Sequence, residues 1–215
     1  MERNNTSDEP KKEMPPPSWP FFIKGRTDVV FIHIPKTAGT SMRWTLDFNR
    51  VSKERAVRKH NDAHKIIGLL GKEKWKAVFK FTFVRNPWDR LLSFYHFRFR
   101  NDLIKDEALK KSFKKWATHK MTTKDLTSET LFNLQPQTHW LKDKNGKIDL
   151  DFIGRFEYLE RDFNQLTSML SLSPGLLQLN VNPLSLDYQN HYDERLKRLV
   201  AEFYKEDIDY FKYTF

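Results

Sequence analysis

Val29-Val30-Phe31-Ile32-His33-Ile34-Pro35-Lys36-Thr37-Ala38-Gly39-Thr40-Ser41 is the stretch that decides the fold. Residues 29–34 form a nearly continuous apolar, β-branched and aromatic run. That is the mark of a strand buried on both faces in a parallel sheet, and Pro35 ends it. Thr40 or Ser41 is expected to cap a helix running through Trp44 and Leu46. A turn between strand and helix aims backbone N–H groups and the positive end of the helix dipole outward, while Lys36, Thr37, Thr40 and Ser41 add a cation and hydroxyls. The turn therefore reads either as an anion cradle, with phosphate the leading anion, or as an ordinary capped loop. It is not a Walker A loop, because the lysine precedes the only glycine of the stretch.

Moving outward, a second strand-to-helix unit follows at Lys76 to Tyr95. Ala77-Val78-Phe79 and the alternating Phe79, Phe81 and Phe83 lead into Arg85-Asn86-Pro87, and a proline at the first helical position suits the helix carrying Leu91, Leu92 and Phe94. Arg85 falls at the C-terminal end of its strand, where open α/β sheets bind ligands. Ser93 lies two helical turns further on, so the two can meet one phosphate, with arginine supplying a bidentate fork. The competing reading is a salt bridge from Arg85 or Arg90 to Asp89; the sequence reading assigns that bridge to Arg90 and keeps Arg85 for an anion.

Farther along, a basic helical segment over roughly 102–118 has Leu109, Phe113 and Trp116 on one face. Asp151 to Phe156 reads as another strand, followed at helical spacing by Leu159, Phe163, Leu166 and Leu170. Leu196, Leu199, Phe203 and Tyr210 mark a C-terminal helix. Strands alternating with helices give an α/β fold around a parallel sheet, with no solenoid repeat. Residues 1–18 are polar, end in Pro15-Pro16-Pro17 and read as a flexible tail, leaving 19–215 as one domain in which Trp19, Phe21, Phe22 and Ile23 form a lead-in. The tail lacks the apolar core of a secretory signal and no membrane anchor follows it, so a soluble chain is expected.

Composition narrows the function. The 215 residues are 39% hydrophobic, too rich for a disordered chain, and contain no cysteine, which removes disulfides, thiolate nucleophiles and cysteine-ligated zinc. The net charge of +10 points to an anionic partner. Its distribution says where: residues 29–124 hold 23 basic and eight acidic side chains, whereas residues 125–215 hold ten and fifteen. Both candidate anion turns lie in the basic half. Within it, Arg98 to Lys124 carries nine lysines and arginines against three acids, read either as a solvated helical face or as a landing strip for a polyanion. Nucleic acid is a rival use of this charge, but the aromatics fall at core spacing and no nucleic-acid module is present.

Together, Phe31 to Ser41 and Phe83 to Tyr95 resemble the cofactor site of sulfotransferases that use 3′-phosphoadenosine 5′-phosphosulfate (PAPS). The resemblance is nearest to the carbohydrate sulfotransferases that include the heparan sulfate 2-O and 6-O enzymes and bacterial members. Further matches at Gln135-Pro136-Gln137-Thr138, Asp151 to Glu157, Leu179-Asn180 and Tyr192-Asp193 through Asp207-Ile208 extend it over nearly the whole body. The resemblance implies a P-loop-like central parallel sheet flanked by helices. It implies that Lys36, Thr37, Ala38, Gly39, Thr40 and Ser41 hold the 5′-phosphosulfate end and that Arg85 and Ser93 hold the 3′-phosphate. It further implies an acceptor hydroxyl on a carbohydrate, neutral or anionic, and the product 3′-phosphoadenosine 5′-phosphate (PAP). No nucleic acid is expected as a partner.

Sulfuryl transfer needs in-line attack by the hydroxyl, stabilisation of the departing phosphate and a base for the proton. That scheme calls for no metal. Lys36 is suited to neutralising the leaving phosphate. Among seven histidines, His60, in Lys59-His60-Asn61-Asp62-Ala63, resembles the base of related enzymes. His64 would share its face on a continuous helix and could replace it. His64 and His139 are substrate-contact candidates, His33 a packing residue or one that orients the cradle, and His96, His119 and His191 read as surface or structural. Two departures from the family pattern stand out: Asn182 to Tyr188 lacks the basic residue of the family's closing loop, although Tyr188 keeps its place, and the anchor of Golgi-resident relatives is missing. A full chain would then be cytoplasmic, and a piece of a longer protein would belong to the Golgi lumen. The alternatives are a P-loop-type kinase using ATP and magnesium, and a non-catalytic polyanion- or nucleic-acid-binding module.

Overall fold

A computed structural model describes residues 21–23, 26–47, 60–100, 106–123, 132–176 and 187–215. The tail 1–18, Trp19, the start of the basic segment, Leu179-Asn180 and most of the Asn182–Tyr188 loop lie outside the described residues.

Three strands form one parallel sheet in the order β1 (Val29–Phe31), β2 (Phe79–Val84), β3 (Phe152–Arg155). Val29 pairs with Phe79, and Phe81 with Phe152. The period of two sends alternate residues to opposite faces. Val29, Phe31, Phe81 and Phe83 pack on one side with Met42, Phe163 and Leu166, while Val30, Ile32 and Val84 pack on the other with Ile66, Trp75 and Trp140. The register brings the Phe31 and Phe81 rings into a stack at 4.9 Å. Burying one such phenyl ring contributes roughly 2–3 kcal/mol.

Ten helices are described: α1 (Gly39–Thr45), α2 (Ala63–Leu70), α3 (Lys72–Ala77), α4 (Pro87–Arg100), α5 (Glu107–Lys110), α6 (Phe113–Thr123), α7 (Gln137–Leu141), α8 (Leu159–Met169), α9 (Glu194–Phe203) and α10 (Lys205–Phe211). α4 lies on a third apolar cluster in which Trp88, Leu92, Trp116, Leu196 and Tyr204 are buried together. The mixed α/β fold with a parallel sheet flanked by helices is the one read from the sequence.

Several local expectations need correction. β1 stops at Phe31 although Ile32 and Ile34 are equally apolar; Ile32 still donates to the Phe81 carbonyl at 3.0 Å, but the chain then turns toward Lys36. Ala77 ends α3 instead of starting β2. The helix expected over 102–118 breaks between α5 and α6 around Ser112, and the C-terminal helix breaks at Tyr204. α1 takes neither Thr40 nor Ser41 as its cap: Ala38, in the left-handed region at φ 65°, occupies that place with no side-chain hydrogen bond.

Candidate active site

The turn after β1 is shaped by its backbone. Lys36 and Ala38 both have positive φ, 70° and 65°, in a chain where left-handed residues other than glycine cost about 1 kcal/mol each. Left-handed residues set among right-handed ones are the pattern that, in anion-binding nests, turns successive N–H groups toward one side. Between them Thr37 is fully buried, its hydroxyl donating to the Ile34 carbonyl at 3.0 Å. Lys36 is half-buried, with its ammonium 4.6 Å above the Phe97 ring.

Gly39 answers to a side chain rather than to a torsion. A Cβ built there would lie 1.7 Å from Nε2 of His33, so the imidazole fills the space beside the glycine. His33 in turn lies 4.2 Å, ring centre to ring centre, from His60 and stacks on Phe31 at 5.4 Å. His60 is held from its other nitrogen, Nδ1 lying 2.9 Å from the His33 carbonyl oxygen. A carbonyl only accepts, so Nδ1 carries the proton and Nε2 keeps the lone pair, the tautomer a base requires. Thus Gly39, His33 and His60 stand in a row leading away from the cradle.

The turn after β2 is shaped by side chains. Arg85 is 4% exposed and the Asp89 side chain accepts from both its Nε, at 2.7 Å, and its Nη2, at 2.8 Å. The Phe156 ring lies 3.8 Å below the guanidinium, and Nη1 donates to the Lys36 carbonyl at 3.2 Å. Gln137 clamps the Arg85 peptide from both ends: Arg85 N–H donates to Oε1 and Nε2 donates to the Arg85 carbonyl, each at 2.8 Å. The buried Asp207 carboxylate accepts from the backbone N–H groups of Gln137 and Thr138 and so fixes the start of α7. Asn86 caps α4 through Trp88 N–H, donates to Tyr188 Oη and the Thr214 carbonyl, and gives its own N–H to Glu157.

Arg90 corrects the sequence reading. The salt bridge to Asp89 belongs to Arg85, because residues four apart across the first turn of α4 face each other. Arg90 points instead to three backbone carbonyls, of Pro35, Gln135 and Asn133, at 3.1, 3.0 and 2.9 Å. Burial pushes its guanidinium below its ordinary pKa, with Tyr204 and Asp207 pulling the other way. Arg85 to Lys36 and Arg90 to Pro35 stitch together two turns separated by about fifty residues of sequence.

Ser93 lies half-buried on α4, and Thr40 half-buried beside buried Ser41 on α1. His64 does not extend the His60 face: Asp62 accepts from Lys65 N–H at 2.7 Å and caps α2, which starts at Ala63, so His60 precedes the helix and His64 is exposed on it. His139 is exposed on α7. His96 and His191 face each other at 6.3 Å; burial first, then His191, lowers the His96 pKa. In the basic segment Phe113 and Trp116 face the core while Lys111, Lys114 and Lys115 face solvent, which serves either reading of that charge. Among the described residues no group of three or more His, Asp or Glu is arranged to hold a metal, and no helix is long and apolar enough to cross a membrane.

Sequence reasoning weighed Asp89 as a partner of Arg85 but gave it to Arg90, and it missed Gln137 and Glu157 as holders of the second turn. The four-residue spacing of Arg85 and Asp89 carried the first signal. Nothing local carries the others, since they arrive from 52 and 71 residues away.

Two cation-bearing turns joined at the carboxyl ends of parallel strands define an α/β protein with a candidate anion site where such sheets bind ligands. The chain belongs to the sulfotransferase family, whose model matches residues 19–214. Membership assigns it sulfuryl transfer to a hydroxyl-bearing acceptor. It is also similar to a solved sulfotransferase structure from Alicyclobacillus acidocaldarius, at 13% identity over 89% of this chain and 87% of that one, with a TM-score of 0.44. No curated protein sequence matches it significantly.

Proposed function

We propose that this sulfotransferase takes its sulfuryl group from PAPS and passes it to a hydroxyl on a carbohydrate. The observation that carries the reading is the direct bond from Arg85 to the Lys36 carbonyl. It makes one continuous site of two anion-holding turns, as a nucleotide with phosphates at both ends requires. The donor supplies an activated sulfuryl group on a phosphate leaving group. Thr37 to Ser41 offer backbone N–H groups to the 5′ end, Thr40 and Ser41 add hydroxyls, and Lys36 offers a cation to the charge that develops on the leaving oxygen. Arg85 and Ser93 hold the 3′-phosphate. Nε2 of His60 takes the proton of the acceptor hydroxyl as its oxygen bonds to sulfur and the sulfur–phosphate oxygen bond breaks. Residues 19–215 form the transferase domain in this reading, and family membership sets sulfuryl transfer above an ATP-dependent kinase.

The test is capture of PAP in the presence of a chelator, together with transfer of labelled sulfate from PAPS to a panel of glycans and small hydroxyl compounds. Lys36→Ala and Arg85→Ala should each lower transfer by about 10²–10³-fold, the size seen when one preorganised charge contact is removed. His60→Ala should lower it by about 10²-fold or more. Full activity in the Lys36 and Arg85 variants, or ATP binding that needs magnesium in place of PAP binding, would overturn the assignment.

A further inference from the structure

Resting on the PAPS reading, we propose that Asp89 is a positioning residue that aims Arg85 at the 3′-phosphate. A guanidinium offers two forks, a side-on edge made of Nε and Nη2 and an end-on edge made of Nη1 and Nη2. Asp89 takes the side-on edge with both carboxylate oxygens, at 2.7 and 2.8 Å. Phe156 covers a face of the plane at 3.8 Å, and the Lys36 carbonyl accepts one Nη1 hydrogen at 3.2 Å. Three partners from α4, the turn after β3 and the cradle therefore fix the plane, its rotation and its tilt. Of the five guanidinium hydrogens, these bonds leave one on Nη1 and one on Nη2 for a phosphate. Asp89 is 5% exposed and Arg85 4%, so neither has room to trade this geometry for water. The carboxylate also serves as internal counter-ion, since a buried guanidinium without one is strongly destabilising.

The ligand that isolates this role is the one lacking the phosphate in question. Asp89→Asn keeps size and shape but replaces one acceptor oxygen with a donor that opposes Nε or Nη2. It should weaken PAP binding about tenfold, the equivalent of 1.4 kcal/mol, while adenosine 5′-monophosphate, which has no 3′-phosphate, binds within about twofold of wild type. The same variant should raise KM for PAPS more than it lowers kcat. Asp89→Glu, which keeps the charge on a longer arm, is the second variant should the asparagine form not fold, and it should show the same selective loss on a smaller scale. Equal weakening of both nucleotides, or no change in either, would overturn the proposal. Wild-type protein that binds PAP no better than adenosine 5′-monophosphate would overturn the donor reading, and this inference with it.

Discussion

The two turns of the candidate site solve one problem by opposite means. The turn after β1 is a backbone device: two left-handed residues, a glycine held against an imidazole and one lysine resting on an aromatic ring. The turn after β2 is a side-chain device, in which Arg85 and Asn86 are gripped by Asp89, Gln137, Glu157, Tyr188 and Thr214. A backbone nest presents N–H groups already aimed, so little side-chain entropy is lost when an anion arrives. A long cation reaches the same readiness only when other groups immobilise it beforehand, and those groups come from the rest of the chain. Changes in the first turn should therefore strike chemistry more than stability when they touch Lys36, whereas changes in the second should strike both together.

The sharpest way to break this contrast is Gly39→Ala, which puts a methyl group where the His33 ring lies. His33 has little freedom to retreat, with Phe31 stacked 5.4 Å away and His60 at 4.2 Å. Overpacking of this kind costs about 1–3 kcal/mol, and it displaces the row that runs from the cradle to the base. Transfer should fall at least as far as in Lys36→Ala, with a lower urea midpoint that the lysine variant does not share. Adding His33→Ala should restore the midpoint by making room. Recovery of activity along with stability in the double variant would mean that the His33–His60 contact is dispensable.

Gln137→Leu tests the other turn. The substitution keeps volume but leaves the N–H and carbonyl of Arg85 unpaired in a dry interior, a loss of about 2–4 kcal/mol for two groups. Here the urea midpoint and PAP affinity should drop together, in contrast to Lys36→Ala. A variant that lost stability alone would separate the clamp from the site.

How much of this could be read in the chain follows the same division. The candidate cradle announces itself locally, because a buried strand, a proline, a lysine, a glycine and hydroxyls are adjacent in sequence, and the structure puts them in one turn and the first residues of α1. The sheet was legible for a similar reason: the phenylalanine alternation of β2 shows which residues face the core. What was hidden depends on distance. Arg85 and Arg90 are both basic residues near one aspartate, and only the fold reveals that Pro35, Gln135 and Asn133 present their carbonyls to Arg90, leaving Asp89 to Arg85. In sequence Gln135 to Thr138 stands out by resemblance alone; in the fold Gln137 brackets the Arg85 peptide. The helix breaks at Ser112 and Tyr204 escaped because an apolar period of about 3.6 continues across a junction between two helices that share a core face.

The smallest expected effect concerns charge around the second turn. Burial pushes the Glu157 carboxyl above its ordinary pKa, the nearby Asp89 carboxylate adds to the rise, and the bonds from Asn86 and Tyr213 hold it back. A carboxyl whose folded-state pKa exceeds its unfolded value binds its proton more tightly in the native state. The native state is therefore favoured below the unfolded value and loses that advantage as pH rises through the folded-state pKa, in the window just above the usual 4.5. Glu157→Gln removes the titration while its amide oxygen can still accept from Asn86 N–H. Urea midpoints followed from about pH 4 to about pH 7 should show the wild type losing ground to this variant as pH rises. Lys36→Ala leaves Glu157 and its titration in place, so its midpoints should keep the wild-type slope throughout. A Glu157→Gln curve parallel to wild type would mean that the carboxylate is ionised at no cost between Asn86 and Tyr213.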